Sequence, residues 1–279
     1  MPALLPRRSP QPARLDLPGA VLVTAGTGSL IYGLVKAGDA SCGSATAVLP
    51  LLGALVFCGA FVAVEHDGRT PLMDLRMFTH RPVVAGAFLM LIATALLIAF
   101  FFLGSVYLQH LRGFSLLKTG LVFLPVAVAT GIGAHLGSQL VGRIGSRPTA
   151  VAGMGVAAGG TLPLTWLSGD GSVYAGPLLS GLVIASLGIG AVFVTATTTA
   201  LAMVAHEEAG LASGVVNTFH EVGGSIGVAV MSTVAAGVEH GAIGGFTDAF
   251  TLSAVAAAAS ALVLVPRGKP QMTGGPHVH

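Results

Sequence analysis

The residues best suited to chemistry form a short polar run in an otherwise apolar stretch at positions 211–238. Asn217, His220 and Glu221 supply an amide, an imidazole and a carboxyl group. The imidazole and the carboxyl group can take up and release protons, and the amide can hydrogen-bond a substrate. Two of these residues belong to a series in which steps of four and three residues alternate, which places its members on one helix face. The series is Gly210, Gly214, Asn217, Glu221 and Gly224.

The depth of this run favours a functional role. In a helix that starts near Gly210, His220 and Glu221 lie about 15 Å along the axis, near the middle of a hydrocarbon core about 30 Å thick. Ionisable groups at that depth are costly unless they face a cavity or a partner. We therefore expect Glu221 to be functional; the alternative is a protonated carboxyl group that bonds a neighbouring helix. For His220, the functional and the packing interpretation both stay open.

A second histidine and three glycine pairs lie in other apolar stretches. His135 could relay protons, although a neutral histidine that only packs is the more common case. Glycines four residues apart predict close contact between membrane helices. The pairs are Gly133 with Gly137, Gly155 with Gly159, and Gly223 with Gly227.

The signatures of soluble enzymes and of nucleic-acid binding are missing. The glycine pairs at 131–133 and 188–190 start like a dinucleotide fingerprint, but Leu136 and Phe193 replace the third glycine. We expect no enzyme activity, no cofactor and no metal site. A net charge of +2 gives no reason to expect nucleic acid as a partner.

The elements that must position these residues are membrane helices. Hydrophobic residues make up 53% of the 279 residues and charged residues 9%, whereas about 25% is usual in soluble domains. Eight apolar stretches are each long enough to cross a bilayer. They cover residues 17–35, 45–64, 83–108, 119–141, 149–168, 174–194, 211–238 and 246–265. We predict an all-α integral membrane protein with about eight transmembrane helices in the lipid bilayer, the sixth ending near Thr195.

The basic residues predict the orientation. With both termini in the cytoplasm, ten of the thirteen Lys and Arg residues lie on the cytoplasmic side, as the positive-inside rule requires. We expect a multi-pass protein of the plasma (inner) membrane with this orientation. Its predicted parts are a cytoplasmic lead-in at 1–16, a two-helix segment at 17–64, a cytoplasmic linker at 65–82, a six-helix bundle at 83–266 and a cytoplasmic tail at 267–279.

Four segments, in this order, carry a likeness to a known family. They are Leu-Asp-Leu-Pro-Gly-Ala at 15–20, Pro-Leu-Met-Asp-Leu-Arg-Met-Phe at 71–78, Tyr-Leu-Gln at 107–109 with Gly-Leu-Val-Phe-Leu-Pro at 120–125, and Gly-Leu-Ala-Ser-Gly at 210–214 with Asn-Thr at 217–218 and Val-Gly-Gly at 222–224. They resemble the approaches to the seventh, ninth and tenth helices and the thirteenth helix of the drug:proton antiporters, the fourteen-helix branch of the major facilitator superfamily. The resemblance covers only the C-terminal portion of that family.

The resemblance implies an inserted helix pair followed by a six-helix transporter bundle of two inverted repeats, with a substrate site at the midplane. Asn217, His220, Glu221 and His135 would line the substrate and proton cavity.

The loop at 140–147 resembles the family's cytoplasmic gating loop. It keeps Arg143, Gly145 and Arg147 but has Gly142 where an acidic residue is typical.

The resemblance therefore implies a half-size relative of a proton-coupled multidrug efflux carrier. In a complete carrier, a hydrophobic and often cationic compound would leave the cell as protons enter. One bundle cannot alternate access without a second to move against, so we expect no transport by this chain alone. The second bundle could be an N-terminal six-helix half or, through self-association, another copy of this chain. The alternative is a truncated or accessory membrane protein without transport activity.

Overall fold

The computed structural model describes residues 17–40, 44–67, 81–162, 175–202, 204, 209–236 and 255. The regular structure in these residues is helical throughout, which confirms the predicted all-α class. The helices are α1 (Leu17–Ala40), α2 (Ala45–Asp67), α3 (Arg81–Val106), α4 (Leu116–Ile144), α5 (Ser146–Thr161), α6 (Ala175–Leu201) and α7 (Ala209–Ala236). A π-helical turn at Tyr107–Leu111 extends α3.

Five of these helices are long and apolar enough to cross a membrane. The segments concerned are Leu17–Ala37, Ala45–Glu65, Arg81–His110, Leu116–Ile144 and Leu178–Leu201. Helix α5, which has 16 residues, and α7, which contains the polar run, are not among these five. The predicted eighth stretch at 246–265 lies outside the described residues except for position 255. The lead-in, the tail and most of the linker also lie outside them.

The helices pack in a chain of neighbours. Helix α1 contacts α2 and α7, α7 contacts α3, α3 contacts α6, and α6 contacts both α4 and α5. The main buried cluster includes Phe100, Leu103, Met154 and Ile189, so it draws on α3, α5 and α6. Helix α6 is therefore central to the described bundle, and α7 joins this bundle to the α1–α2 hairpin.

Helix α6 extends beyond the predicted end near Thr195. Thr195, Thr197, Thr198 and Thr199 each donate a hydrogen bond to the carbonyl four residues earlier, at 2.6–3.1 Å. This back-bonding satisfies the hydroxyl groups inside the helix. A run of threonines therefore continues the helix to Leu201 instead of ending it.

Two of the three glycine pairs lie at close helix crossings. A Cβ atom at Gly133 would collide with Leu187, and one at Gly137 would lie 2.6 Å from the Cα of Ala191, both on α6. On α7, Cβ atoms at Gly223 and Gly227 would collide with the carbonyl oxygens of two α3 residues. These are Leu91 and Ala95.

The pair on α5 lies on a different face. A Cβ atom at Gly155 or Gly159 would meet no described atom within 4 Å. The contact with α6 instead uses Gly153 and Gly160, which approach Gly188 and the 181–185 turn. The four-residue spacing at 155 and 159 therefore does not mark a helix contact among the described residues.

Candidate functional site

The polar series of α7 lies on an open face of the helix. Its opposite face is buried: Ala212 and Val215 pack in a cluster with α1 and α3, while Gly223 contacts α3. Five residues of α7 between 209 and 221 are exposed. They are Gly210, Ser213, Gly214, Asn217 and Glu221. Only the last member of the predicted series departs from this face, because a Cβ at Gly224 would contact Thr94 and Ile98 of α3.

His220 is held between α3 and α6. Its Nδ1 lies 2.9 Å from the Oγ1 of Thr94 on α3. Thr94 also donates to the carbonyl oxygen of Met90, at 2.9 Å. On the other side, the ring of Phe193 on α6 has its centroid 5.8 Å from that of the imidazole, with the planes inclined at 52°. The imidazole is therefore fixed by a hydrogen bond and by ring packing.

A cavity of about 230 Å³ opens where α3, α6 and α7 meet. Its lining mixes polar and apolar side chains. They are Met90, Thr197, Ser213, Val216, Asn217 and His220. Drug-sized ligands usually occupy sites of about 300–1,000 Å³, so this cavity can hold a polar group and part of an apolar body. The described residues contain no group of three or more His, Cys, Asp or Glu side chains suited to a metal ion.

The structure brings Asn217 and His220 to this cavity but leaves the other two predicted residues outside its lining. Glu221 lies next to His220 on the open face of α7. His135 is exposed on α4, where its Nε2 lies 3.0 Å from the amide nitrogen of Gln139.

His135 and His220 nevertheless lie at similar levels along α6. The contacts of Gly133 and Gly137 with Leu187 and Ala191, together with those of Gly190 with residues 130 and 134, place residue 135 level with residues 189–193 of α6. His220 is level with residue 193 of the same helix, as its ring contact shows. Four residues of helix correspond to about 6 Å. The two histidines therefore lie within about one helical turn of the same depth.

The predicted gating loop is a one-residue break between α4 and α5. Gly145 has φ 88° and ψ 168°, a region that is essentially restricted to glycine. Its N–H donates to the carbonyl of Val141 at 3.0 Å, and its carbonyl accepts from the Thr149 hydroxyl at 2.8 Å. Arg143 and Arg147 are exposed on either side of the break.

Sequence reasoning missed the contributions of α3 and α6 to the cavity. Thr94 is the only polar side chain between Val83 and Gly104, and an isolated polar residue at mid-membrane depth is a usable signal. Met90, Phe193 and Thr197 carried no such signal, because only the crossing of the helices brings them to His220.

Comparison with known proteins gives a consistent picture. Residues 3–228 match the family model of the Major Facilitator Superfamily. The chain is 35% identical over 239 residues to the puromycin resistance protein of Streptomyces alboniger, which covers 84% of this chain and 47% of that protein. It is 36% identical to the cephamycin export protein of Amycolatopsis lactamdurans, over 82% of this chain and 48% of that protein. It is 32% identical to a multidrug resistance protein of Mycobacterium tuberculosis, over 80% and 41% respectively.

The chain thus spans about half the length of the curated relatives that it matches. The family match covers most of the chain, and the helical architecture is that of a multi-pass membrane protein. This chain belongs to the major facilitator superfamily of membrane transport proteins.

Proposed function

We propose that this chain forms one wall of the central cavity of a proton-coupled multidrug exporter in the plasma membrane, with both termini in the cytoplasm. The observation that carries the proposal is the open polar face of α7. Glu221 is exposed on it, next to His220, which lines the cavity. Its position in the sequence predicts a depth near the middle of the membrane. A carboxyl group facing lipid at this depth is costly, whereas one facing a water-filled cavity is not.

The residues divide into substrate and proton roles. Asn217 and His220 bind the polar part of a substrate, while Met90 and Val216 contact its apolar part. Glu221 exchanges the coupled proton. His135, exposed on α4 outside the described cavity, faces the part of the central cavity that a second bundle encloses. A hydrophobic, often cationic compound suits this mixed lining. The relatives are named as antibiotic resistance and export proteins, which supports the export of drugs.

The break between α4 and α5 serves as the cytoplasmic gate. Gly145, at φ 88° and ψ 168°, lets α5 start directly after α4 in a backbone conformation that other residues rarely adopt. Arg143 and Arg147 then form ion pairs across the closed cytoplasmic entrance, and they separate when it opens.

The exporter needs a second bundle. Carriers of this type alternate access by moving one bundle against another around a midplane site. The described cavity is open and small, and the chain spans 41–48% of each relative named above. An N-terminal six-helix bundle, or a second copy of this chain, completes the cavity, and the chain alone does not transport.

Reconstitution tests the proposal. The purified chain is placed in liposomes with a fluorescent cationic dye and a pH gradient, alone or together with the N-terminal half of the puromycin resistance protein. We expect dye movement only in the second case or in a self-associated sample. Transport by a demonstrably monomeric chain would show that no second bundle is needed and would refute the proposal. If no assembly moves any dye, an accessory protein without transport activity becomes the better account.

A further inference from the structure

We propose that Thr94 is a positioning residue that fixes the tautomer of His220, with the hydrogen on Nδ1, so that Nε2 is the nitrogen that meets substrate. The transport role of Nε2 rests on the proposed function, but the assignment of the tautomer does not. It follows from hydrogen bonds between three side-chain and backbone groups on α3 and α7.

The first step is a count of hydrogens. The Thr94 hydroxyl group carries one hydrogen, and its oxygen lies 2.9 Å from both the Met90 carbonyl oxygen and the His220 Nδ1. The carbonyl can only accept. Both contacts are hydrogen bonds only if Thr94 donates to Met90 and His220 donates its Nδ1–H to Thr94. The other tautomer would direct the only hydrogen to His220 and leave two oxygen lone pairs facing each other.

The second step is burial. Thr94 is only 2% exposed, so water cannot easily replace a lost hydrogen bond. In the other tautomer, the hydroxyl and carbonyl oxygens would lie 2.9 Å apart with no hydrogen between them. The tautomer that satisfies both contacts is therefore favoured.

The third step concerns the other nitrogen. No side chain that the structure describes hydrogen-bonds Nε2, and His220 borders the cavity. In the neutral ring Nε2 accepts a hydrogen bond. Nε2 can therefore accept a hydrogen bond from a cationic substrate in the cavity, while the bond from Nδ1 to Thr94 is unchanged.

The side chains that surround the imidazole are mostly not titratable. Met90 and Thr94 on α3, and Phe193 and Thr197 on α6, carry no titratable group near it. On α7 itself, the adjacent Glu221 points about 100° away around the helix.

Nitrogen NMR of the full chain tests the tautomer without any transport assay. The protein is labelled with ¹⁵N-histidine in detergent, and His220→Gln identifies the signals of this ring. At a pH where the ring is neutral, we expect wild-type protein and Thr94→Ser to show a protonated Nδ1 and an unprotonated Nε2. Thr94→Val should shift the population toward the Nε2–H form.

A matched control separates positioning from general disturbance. Thr195 on α6 is also buried and also bonds the carbonyl four residues earlier, at 2.7 Å. Thr195→Val should leave the His220 signals unchanged. An Nε2–H tautomer in the wild-type protein would overturn the proposal, and this holds even if Thr94→Val fails to fold. An unchanged tautomer in folded Thr94→Val would overturn it equally.

Discussion

The carbonyl oxygen of Leu91 on α3 occupies the place that a Cβ atom at position 223 of α7 would need. Only glycine therefore fits at this position. One turn earlier on α7, His220 reaches Thr94 of α3. The backbone contact and the side-chain hydrogen bond therefore belong to the same helix crossing. This crossing sets the distance between α3 and α7 and so the position of the imidazole at the cavity.

Gly223→Ala should destabilise the protein. The added methyl group must push α3 and α7 apart, and overpacking of this kind typically costs about 1–3 kcal/mol. We expect a lower melting temperature in detergent. The control is Gly214→Ala on the same helix, where a Cβ meets no described atom within 4 Å. Because alanine favours helix, this variant should gain up to about 1 kcal/mol. Equal effects of the two substitutions would argue against the close crossing.

Gly145→Ala should destabilise the protein for a different reason. At φ 88° and ψ 168° a side chain is strained whatever space surrounds it, with a cost of about 1–3 kcal/mol. Gly142→Ala, in helical backbone of α4 with open space around it, should instead be neutral or stabilising by up to about 1 kcal/mol. Thermal unfolding of both variants measures the difference. A Gly145→Ala variant as stable as Gly142→Ala would mean that the break adopts another conformation.

Ser186→Ala should stabilise the protein. The Ser186 hydroxyl group is fully buried in α6 and has no hydrogen-bond partner in the part of the chain that the structure describes. Removing such a group relieves a cost of about 1–3 kcal/mol. Thr195→Val, whose hydroxyl group does bond a carbonyl, should show no such gain. A loss of stability in Ser186→Ala would reveal a partner for this hydroxyl.

The proposed orientation predicts which loops a membrane-impermeant thiol reagent can reach. The sequence without its own two cysteines (Cys42→Ser, Cys58→Ser) gives a clean background. In intact cells, Gly113→Cys in the loop between α3 and α4 should react, because the proposed orientation places this loop outside the cell. Gly142→Cys near the break between α4 and α5 should react only after the membrane is opened. The reverse pattern would invert the orientation that the basic residues predict.

Much of this architecture follows from the sequence because lipid imposes strong rules. Apolar runs of bilayer length predicted the helices. The series that runs from Gly210 to Gly224 predicted which residues share the open face of α7, with Gly224 as the exception. The threonines at 195–199 misled the prediction, because their hydroxyl groups bond within the helix instead of ending it. A spacing also does not say which face of a helix has a neighbour, and Cβ atoms at Gly155 and Gly159 would meet no atom of the described residues within 4 Å.

The composition of the cavity could be predicted only in part. Asn217 and His220 stood out as polar residues at mid-membrane depth, and both line the cavity. Met90 and Thr197 also line it, and they are ordinary residues of membrane helices. They reach the site through the crossings of α3, α6 and α7, which depend on long-range contacts that periodicity does not encode.

The most direct test of the account measures pH-driven dye transport by the assembled carrier with Glu221→Gln. Glutamine keeps the size of the side chain but cannot exchange a proton. The control is Thr218→Val on the same helix, whose hydroxyl group only bonds the carbonyl of Gly214. With equal amounts of protein, Thr218→Val should keep the acceleration that a pH gradient gives, and Glu221→Gln should transport at the same rate with and without the gradient. Full pH-driven transport by Glu221→Gln would contradict the central claim that this carboxyl group carries the coupled proton.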